Sequence, residues 1–430
     1  MTSPVDDLRA LFAAGVEAAD PARVVPAHRP EGPGQYWVVG AGKAAAAMAK
    51  ALEDHWPMDR PPPRGIVVTR YGHGLDLRHI ECIEASHPVP DAAGQAAAQR
   101  LFELAQSLQA SDHLVVLLSG GGSALLSLPA TGLRLEDKQV LSESLLRCGA
   151  DIGEINCVRK HLSAIKGGQL AVAASPAQVS SLIISDVVGD DPTTIASGPT
   201  AADPTTLADA REVLSRYGIA VPPAVQRHLA NPAAETPKPG DTRLAGVDNQ
   251  LIATPQASLE AMAVCARSRG ITPIILGDAI EGEAREVGRV MAGIARQAAR
   301  HHQPAAPPCV LLSGGETSVT VRGGGRGGRN LEFLLGLAIA LDGAESVYAL
   351  AGDSDGIDGS EDNAGAIVTP ATLARAHEAG LDPRDRLADN DGYGFFAALD
   401  DLVVTGPTRT NVNDLRAILI AGPPAQPDSQ

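Results

Sequence analysis

Aromatic side chains are scarce, at 3% of 430 residues, so the interior has to be filled by Ala, Val, Leu and Ile. Basic residues are outnumbered, 35 against 51 acidic ones, leaving a formal charge of -16 that repels polyanions and excludes broad nucleic-acid binding. No apolar run approaches the roughly 18 residues that a membrane span requires. The first twenty residues carry acids where a secretory leader has bases, and their apolar positions recur at helical spacing. They predict a capped amphipathic helix of a cytoplasmic protein. The five cysteines (82, 148, 157, 265 and 309) are odd in number, scattered and never spaced CxxC, which argues against a disulfide framework or zinc site and for thiols mostly in the core.

What is present is a globular composition, 44% hydrophobic and 20% charged, long enough for two or three domains at roughly 150 residues each. Short β-branched runs alternate with Ala-rich helical stretches, the pattern of a parallel sheet covered by helices. Strands are predicted near 36–39, 65–69, 113–118 and 181–185, with helices over 42–54, 91–108, 136–149 and 205–216. PPAVQRHLANPAAETPKPGDTRL, proline-rich and without apolar period, is the best linker candidate. A second series follows it, with strands near 250–253, 272–276, 310–312, 317–321 and 347–350. The closing PPAQPDSQ reads as a frayed tail. LLSGGGSALL and LLSGGETSVT each set Ser-Gly-Gly after a buried strand, which points to two halves with a ligand cleft between them.

Six segments carry chemistry. Gly40-Ala41-Gly42-Lys43 follows the first strand; it is either a structural turn or an anion site in which backbone amides and Lys43 face a phosphate. It also fits a loose dinucleotide fingerprint, with Arg70 ending the next strand as an NADP site would have it. Ser119-Gly120-Gly121-Gly122-Ser123 offers a nest of amides flanked by hydroxyls, suited to carboxylate or phosphate, or else a flexible loop. Arg159, Lys160 and Lys166 concentrate positive charge between Ile155 and Gly168 on an amphipathic helix, as a binding face or a merely solvated one. Ser185-Asp186-Val187-Val188-Gly189-Asp190-Asp191 sets carboxylates at the end of a buried strand, as a metal ligand, a general base or loop caps. Arg322 to Asn330 packs five glycines among three arginines and predicts a mobile cationic loop for phosphate; a nucleic-acid RGG segment is disfavoured by its shortness and the net charge. Asp353, Asp355 and Asp358 fall within six residues, at a spacing that misses the EF-hand pattern and suits Mg²⁺ beside nucleotide phosphates.

GAGKAA, LLSGGGSALL, INCVRKHLSAIKGG, ISDVVGDDPTTIASGPT, LLSGGETSV, GGRNLE, AGDSDGIDG and VTGPTRTNVNDL, in that order over about 36–416, resemble the glycerate 2-kinases that end in a MOFRL domain, a family often labelled hydroxypyruvate reductase. The resemblance implies two three-layer α/β domains: a Rossmann-like parallel sheet in 1–240 and a MOFRL-type mixed sheet in 241–422. It implies ATP- and Mg²⁺-dependent phosphorylation of D-glycerate to 2-phosphoglycerate in the interdomain cleft, with small molecules as partners, no nucleic acid or membrane, and room for a homodimer. By motif, the catalytic residues fall on Lys43 and Arg329, with Asp186 the chosen base. Phosphate and substrate contacts are expected at Gly40, Gly42, Ser119, Gly120, Gly121, Gly122, Ser123, Arg159, Lys160, Lys166, Gly327, Gly328 and Asn330, and metal contacts at Asp353, Asp355 and Asp190. Three positions depart from the family pattern: Leu331 replaces Gln after GGRN, Gly392 a small Ser, and Arg409 a Gly. An NADP-linked hydroxypyruvate reductase is the alternative, although hydride transfer leaves the arginine-rich loop and the aspartate cluster without a task.

Overall fold

The computed structural model describes residues 3–422, so the predicted tail lies outside the described residues. The chain divides into two compact units, one formed by residues 21–252 and the other by residues 1–20 together with 253–430. This differs from the expected boundary at 240. The first helix, Pro4–Ala18, begins with the predicted cap, Ser3 and Asp6 bonding reciprocally to each other's backbone. Its buried Leu8, Leu11 and Phe12 share a core with Leu259, Met262 and Val310, so it belongs with the C-terminal sheet. The presumed linker is part of the first unit: Glu235 and Thr236 are bonded to His161 and Asp203, anchoring a stretch whose prolines suggested freedom.

In the unit spanning 21–252, one six-stranded sheet uses β1 (Gln35–Ala41), β2 (Arg64–Arg70), β3 (Ile80–Ala85), β4 (Asp112–Leu118), β5 (Gln178–Ile184) and β6 (Val247–Ala253), in the order β3-β2-β1-β4-β5-β6. Pairings from β3 through β5 are parallel, as the alternation of strand and helix predicts. Because the chain builds outward from β1 in one direction and from β4 in the other, the turns after these two strands lie at the switch point of the sheet, where such sheets form a crevice that usually takes the ligand. β3 was not foreseen, since Glu81 and Glu84 interrupt its apolar pattern at an edge.

The other unit holds β7 (Thr272–Gly277), β8 (Gly282–Glu283), β9 (Cys309–Gly315), β10 (Thr317–Ser318), β11 (Val347–Asp353), β12 (Gly365–Val368), β13 (Leu402–Val403) and β14 (Asp414–Ile420). Six of them form a mixed sheet ordered β13-β12-β11-β14-β9-β7, while β8 and β10 pair separately. The strand expected over 317–321 shrinks to two residues. The last strand takes a central place, antiparallel to β11 and β9, with register Asp353 opposite Asp414 and Asp414 opposite Gly315. That register sets three acidic positions, Asp353, Asp414 and Glu316, beside one another. No helix among the described residues is long and apolar enough to cross a membrane. The five cysteines are free; only Cys157 and Cys309 are buried, fewer than expected, and Cys148 is exposed.

Candidate active site

At the crevice of the parallel sheet, the two glycine turns are bonded to each other. Lys43 N donates to Gly120 O at 2.8 Å, Ala44 N to Ser119 Oγ at 3.0 Å, and Gly42 N to Val68 O at 3.1 Å. These three amides are therefore occupied by protein acceptors, which corrects the expectation of an anion nest at the first turn. Gly40 lies within β1, where a Cβ would meet Leu117 O at 2.6 Å, and Gly42 has no room for one beside Ser119. Ser119 is itself fully buried. Gly40, Gly42 and Ser119 thus fix the turns, leaving the half-buried Lys43 side chain as the group this segment presents.

Gly121 adopts φ +81, and a Cβ there would come within 3.0 Å of the His87 ring and 3.6 Å of Lys43 Cγ. Ser123 Oγ lies 2.8 Å from Ser197 Oγ, and Lys166 Nζ donates to Ser123 O at 2.8 Å. The strained segment Ala196–Ser197, both at positive φ, accepts at Ser197 O the amide of Gly167. Gly122 packs on Ala196, where a Cβ would meet Ala196 Cβ at 2.7 Å.

A cavity of about 590 Å³ opens beside these turns, with Ser123, Lys138, Arg159 and Lys166 in its wall. Lys160, expected there, is instead paired with Asp203 at 2.9 Å in the core. Lys138 was missed by sequence reading. The signal lay in its place three residues after Leu135 and three before Leu141, on the buried stripe of the helix Leu135–Arg147. At the end of β5, Asp186 is half-buried, and Asp190 closes a turn through its amide to Val187 O.

In the mixed-sheet unit, Arg329 opens the helix Arg329–Leu341 and holds three carboxylates: Nε to Asp414 at 2.8 Å, Nη1 to Glu316 at 2.8 Å and Nη2 to Asp353 at 2.9 Å. Burial opposes its charge, but Asp414, Asp353 and Glu316 outweigh that and raise its pKa further above the ordinary value. The amides of Asn330 and Leu331 both donate to Asp358. The helix N-terminus therefore already carries a carboxylate, with Gly328 leaving the space for it, since a Cβ would lie 2.4 Å from Asp358 Oδ1. Asn330 is wholly buried and bonds both Asp358 and Asp414. Gly328 and Asn330 are thus engaged with Asp358 and Asp414 around Arg329. Burial pushes the Asp358 carboxyl up to about 6 against the pull of those amides.

The glycine loop is also held, contrary to the mobile loop expected: the amides of Arg322, Gly324 and Arg326 donate to Asn390, Asp389 and Asp391. Gly327, at φ +147, lies against the amide of Tyr393. Glu316, Asp414 and the 389–391 segment are far apart in sequence, and no local pattern links them to Arg329. Asp353 receives the Asp355 amide at 2.9 Å, and Asp355 that of Ile357 at 2.9 Å. Among the described residues no group of three metal-capable side chains forms, and Asp190 belongs to the other unit.

Two departures meet in space. Leu331 is fully buried, and a Cβ at Gly392 would lie 2.8 Å from its Cβ, so this backbone leaves no room for a side chain at 392. Arg409, exposed, sits at φ 61 in a loop whose Thr408 amide bonds Asp355 O. A left-handed conformation costs a non-glycine residue about 1 kcal/mol. Arg409→Gly should therefore raise stability by roughly 0.5–1 kcal/mol in urea unfolding, and an unchanged or lower midpoint would count against this strain.

A doubly wound sheet whose crevice presents a lysine, and a mixed sheet presenting an arginine braced by carboxylates, define an α/β enzyme of anionic substrates. Residues 7–230 match the family described as "Domain of unknown function (DUF4147)", and residues 309–414 match the MOFRL family. The chain is 55% identical to an Agrobacterium vitis protein named "Putative hydroxypyruvate reductase" over 96% of its own length and 94% of that protein's. It is 42% identical to a Thermotoga maritima D-glycerate 2-kinase over 88% of this chain and 89% of that one. The crystal structure of a glycerate kinase from Thermotoga maritima superimposes with a TM-score of 0.88 at 40% identity, covering 97% of this chain and 99% of that one. The chain belongs to the glycerate kinase family that carries a MOFRL domain.

Proposed function

We infer that the protein transfers the γ-phosphoryl group of ATP to D-glycerate, giving 2-phosphoglycerate. The glycerate hydroxyl oxygen attacks γ-phosphorus, the bond from phosphorus to the ADP oxygen breaks, and the hydroxyl proton passes to a carboxylate, for which Asp186 at the end of β5 is the candidate. The observation that carries this reading is Arg329, a guanidinium held at three sites by Asp414, Glu316 and Asp353. Phosphoryl transfer depends on positioned cations more than on covalent chemistry. Lys43, beside the crevice of the parallel sheet, supplies a second.

Asp353 and Asp355 are the residues that would hold Mg²⁺, which when bound would supply positive charge against the transferring group. Asp353 and Asp355 fit a metal that arrives with the nucleotide, because Mg²⁺ in such sites keeps its waters and takes only one or two carboxylates. Asp355→Asn should then raise the Mg²⁺ concentration for half-maximal rate several-fold while shifting the glycerate KM less. Identical Mg²⁺ titrations of mutant and parent would confine Asp355 to bracing its own loop.

The reductase reading draws on the name carried by the Agrobacterium vitis relative. Against it stands the first glycine turn, where the amides of Gly42, Lys43 and Ala44 are bonded to Val68, Gly120 and Ser119 instead of being open to a pyrophosphate. Incubation with Mg-ATP and D-glycerate, with product identified by NMR, tests the proposal beside an assay with NADPH and hydroxypyruvate. NADPH oxidation without ADP formation would overturn it.

A further inference from the structure

The cavity in the 21–252 unit holds three cations and little to balance them. Lys138 is 7% exposed and Lys166 2%. Lys138 Nζ reaches only the Leu128 carbonyl, at 3.4 Å, and Lys166 Nζ the Ser123 carbonyl. Arg159, half-buried on the helix Ile152–His161, makes no side-chain hydrogen bond or ion pair among the described residues. The one acid in the wall, Glu143, is bonded to Arg147 on the outer side of its helix, with its side chain 62% exposed. Buried charges are ordinarily paired, and a buried cation that lacks an acid is costly until an anion reaches it. His87, Ser123 and Ser127 add polar groups to the same wall, while Pro88 and Leu135 make the remainder apolar.

We propose that this cavity seats the carboxylate of the hydroxy acid, and that Lys138, with Arg159 and Lys166, is its counter-charge. The assignment rests on the kinase reading for the identity of the acid, whereas the anion site itself rests on the cavity alone. A carboxylate is favoured over a phosphate because Lys43, the cation assigned to phosphate, is not among the residues that line the cavity. Burial lowers the Lys138 pKa to about 7, with Arg159 pushing the same way, and burial, Lys138 and Arg159 lower that of Lys166. The charged and titratable groups around Lys138 are Arg159, Lys166, His87 and Glu143. Only the protonated lysine attracts an oxyanion, so the Lys138 contribution to affinity is full below about pH 7 and declines as pH rises above it, and binding near neutrality takes up a proton.

Calorimetry on the full chain without nucleotide tests this with D-glycerate, glycerol, inorganic phosphate and ATP as separate ligands. D-glycerate should bind with proton uptake, glycerol should not bind, and Lys138→Met should weaken D-glycerate at least tenfold with ATP affinity unchanged. Loss of phosphate or ATP binding with D-glycerate unaffected would overturn the carboxylate assignment, as would equal D-glycerate affinity in mutant and parent. If Lys138→Met fails to fold, the parent protein alone decides: D-glycerate affinity that does not fall between pH 6 and pH 9, with no proton uptake, refutes the site. A parent that binds small hydroxy acids here yet forms no ADP would sink the kinase reading and leave the cavity assignment standing. Turnover with an unaltered KM in Lys138→Met would do the reverse.

Discussion

Alanine in place of Lys43 is expected to lower glycerate turnover by about 100-fold or more, while the unfolding midpoint stays close to that of the parent. The two effects separate because of where the residue sits. Its amide ties the first glycine turn to Gly120 and is untouched by the substitution. The side chain is half-buried at the crevice, so truncation removes a positive charge that the proposed mechanism places on phosphate, and little packing. Stopped-time ADP assays together with circular dichroism melts decide the matter. A folded Lys43→Ala protein with parental turnover would remove Lys43 from the chemistry.

Arg329 should behave differently, because the proposed phosphate cation is also the centre of an ion network. Its side chain is 24% exposed, and the partners Asp353 and Asp414 are 5% and 0% exposed. Arg329→Ala takes one cation from Asp353 and Asp414 while Asp414 keeps Arg416 at 2.6 Å, which should cost about 3 kcal/mol in denaturant unfolding. Arg329→Lys keeps a charge but loses the fork that reaches Asp414, Glu316 and Asp353 together; turnover should fall about 1000-fold with a smaller loss of stability. Parental stability in the alanine variant would show that the acids are satisfied in some other way, and parental turnover in the lysine variant would show that only charge is required.

The constraint on Arg329 also alters how its glycines are understood. In the sequence, five glycines among arginines suggest mobility. In the structure Asp389, Asn390 and Asp391 receive the loop's amides, and a Cβ at Gly323 or Gly325 would fall within 2.6 Å of that segment. These glycines serve close backbone packing, and the arginine they lead to is preorganised.

Arg329 stood out from the neighbouring arginines only through the family resemblance, but by itself the sequence determined the local parts: strands and helices from their periodicity, the cap at Ser3, the glycine turns after β1 and β4, and Lys43 beside the first of them. Each follows from interactions between neighbours along the chain, where propensity, turn chemistry and apolar period all act. Tertiary structure alone decided which groups are open to a ligand. It bonded the first turn's amides to Ser119 and Gly120, gave Lys160 to Asp203, placed Asp358 on the helix that begins at Arg329, and took the first helix into the C-terminal unit. It also set Lys138 among Arg159 and Lys166. The physical reason is that a buried polar group must be paired, and its partner is fixed by sheet order and register, which join residues such as Arg329 and Asp414 across long stretches of chain.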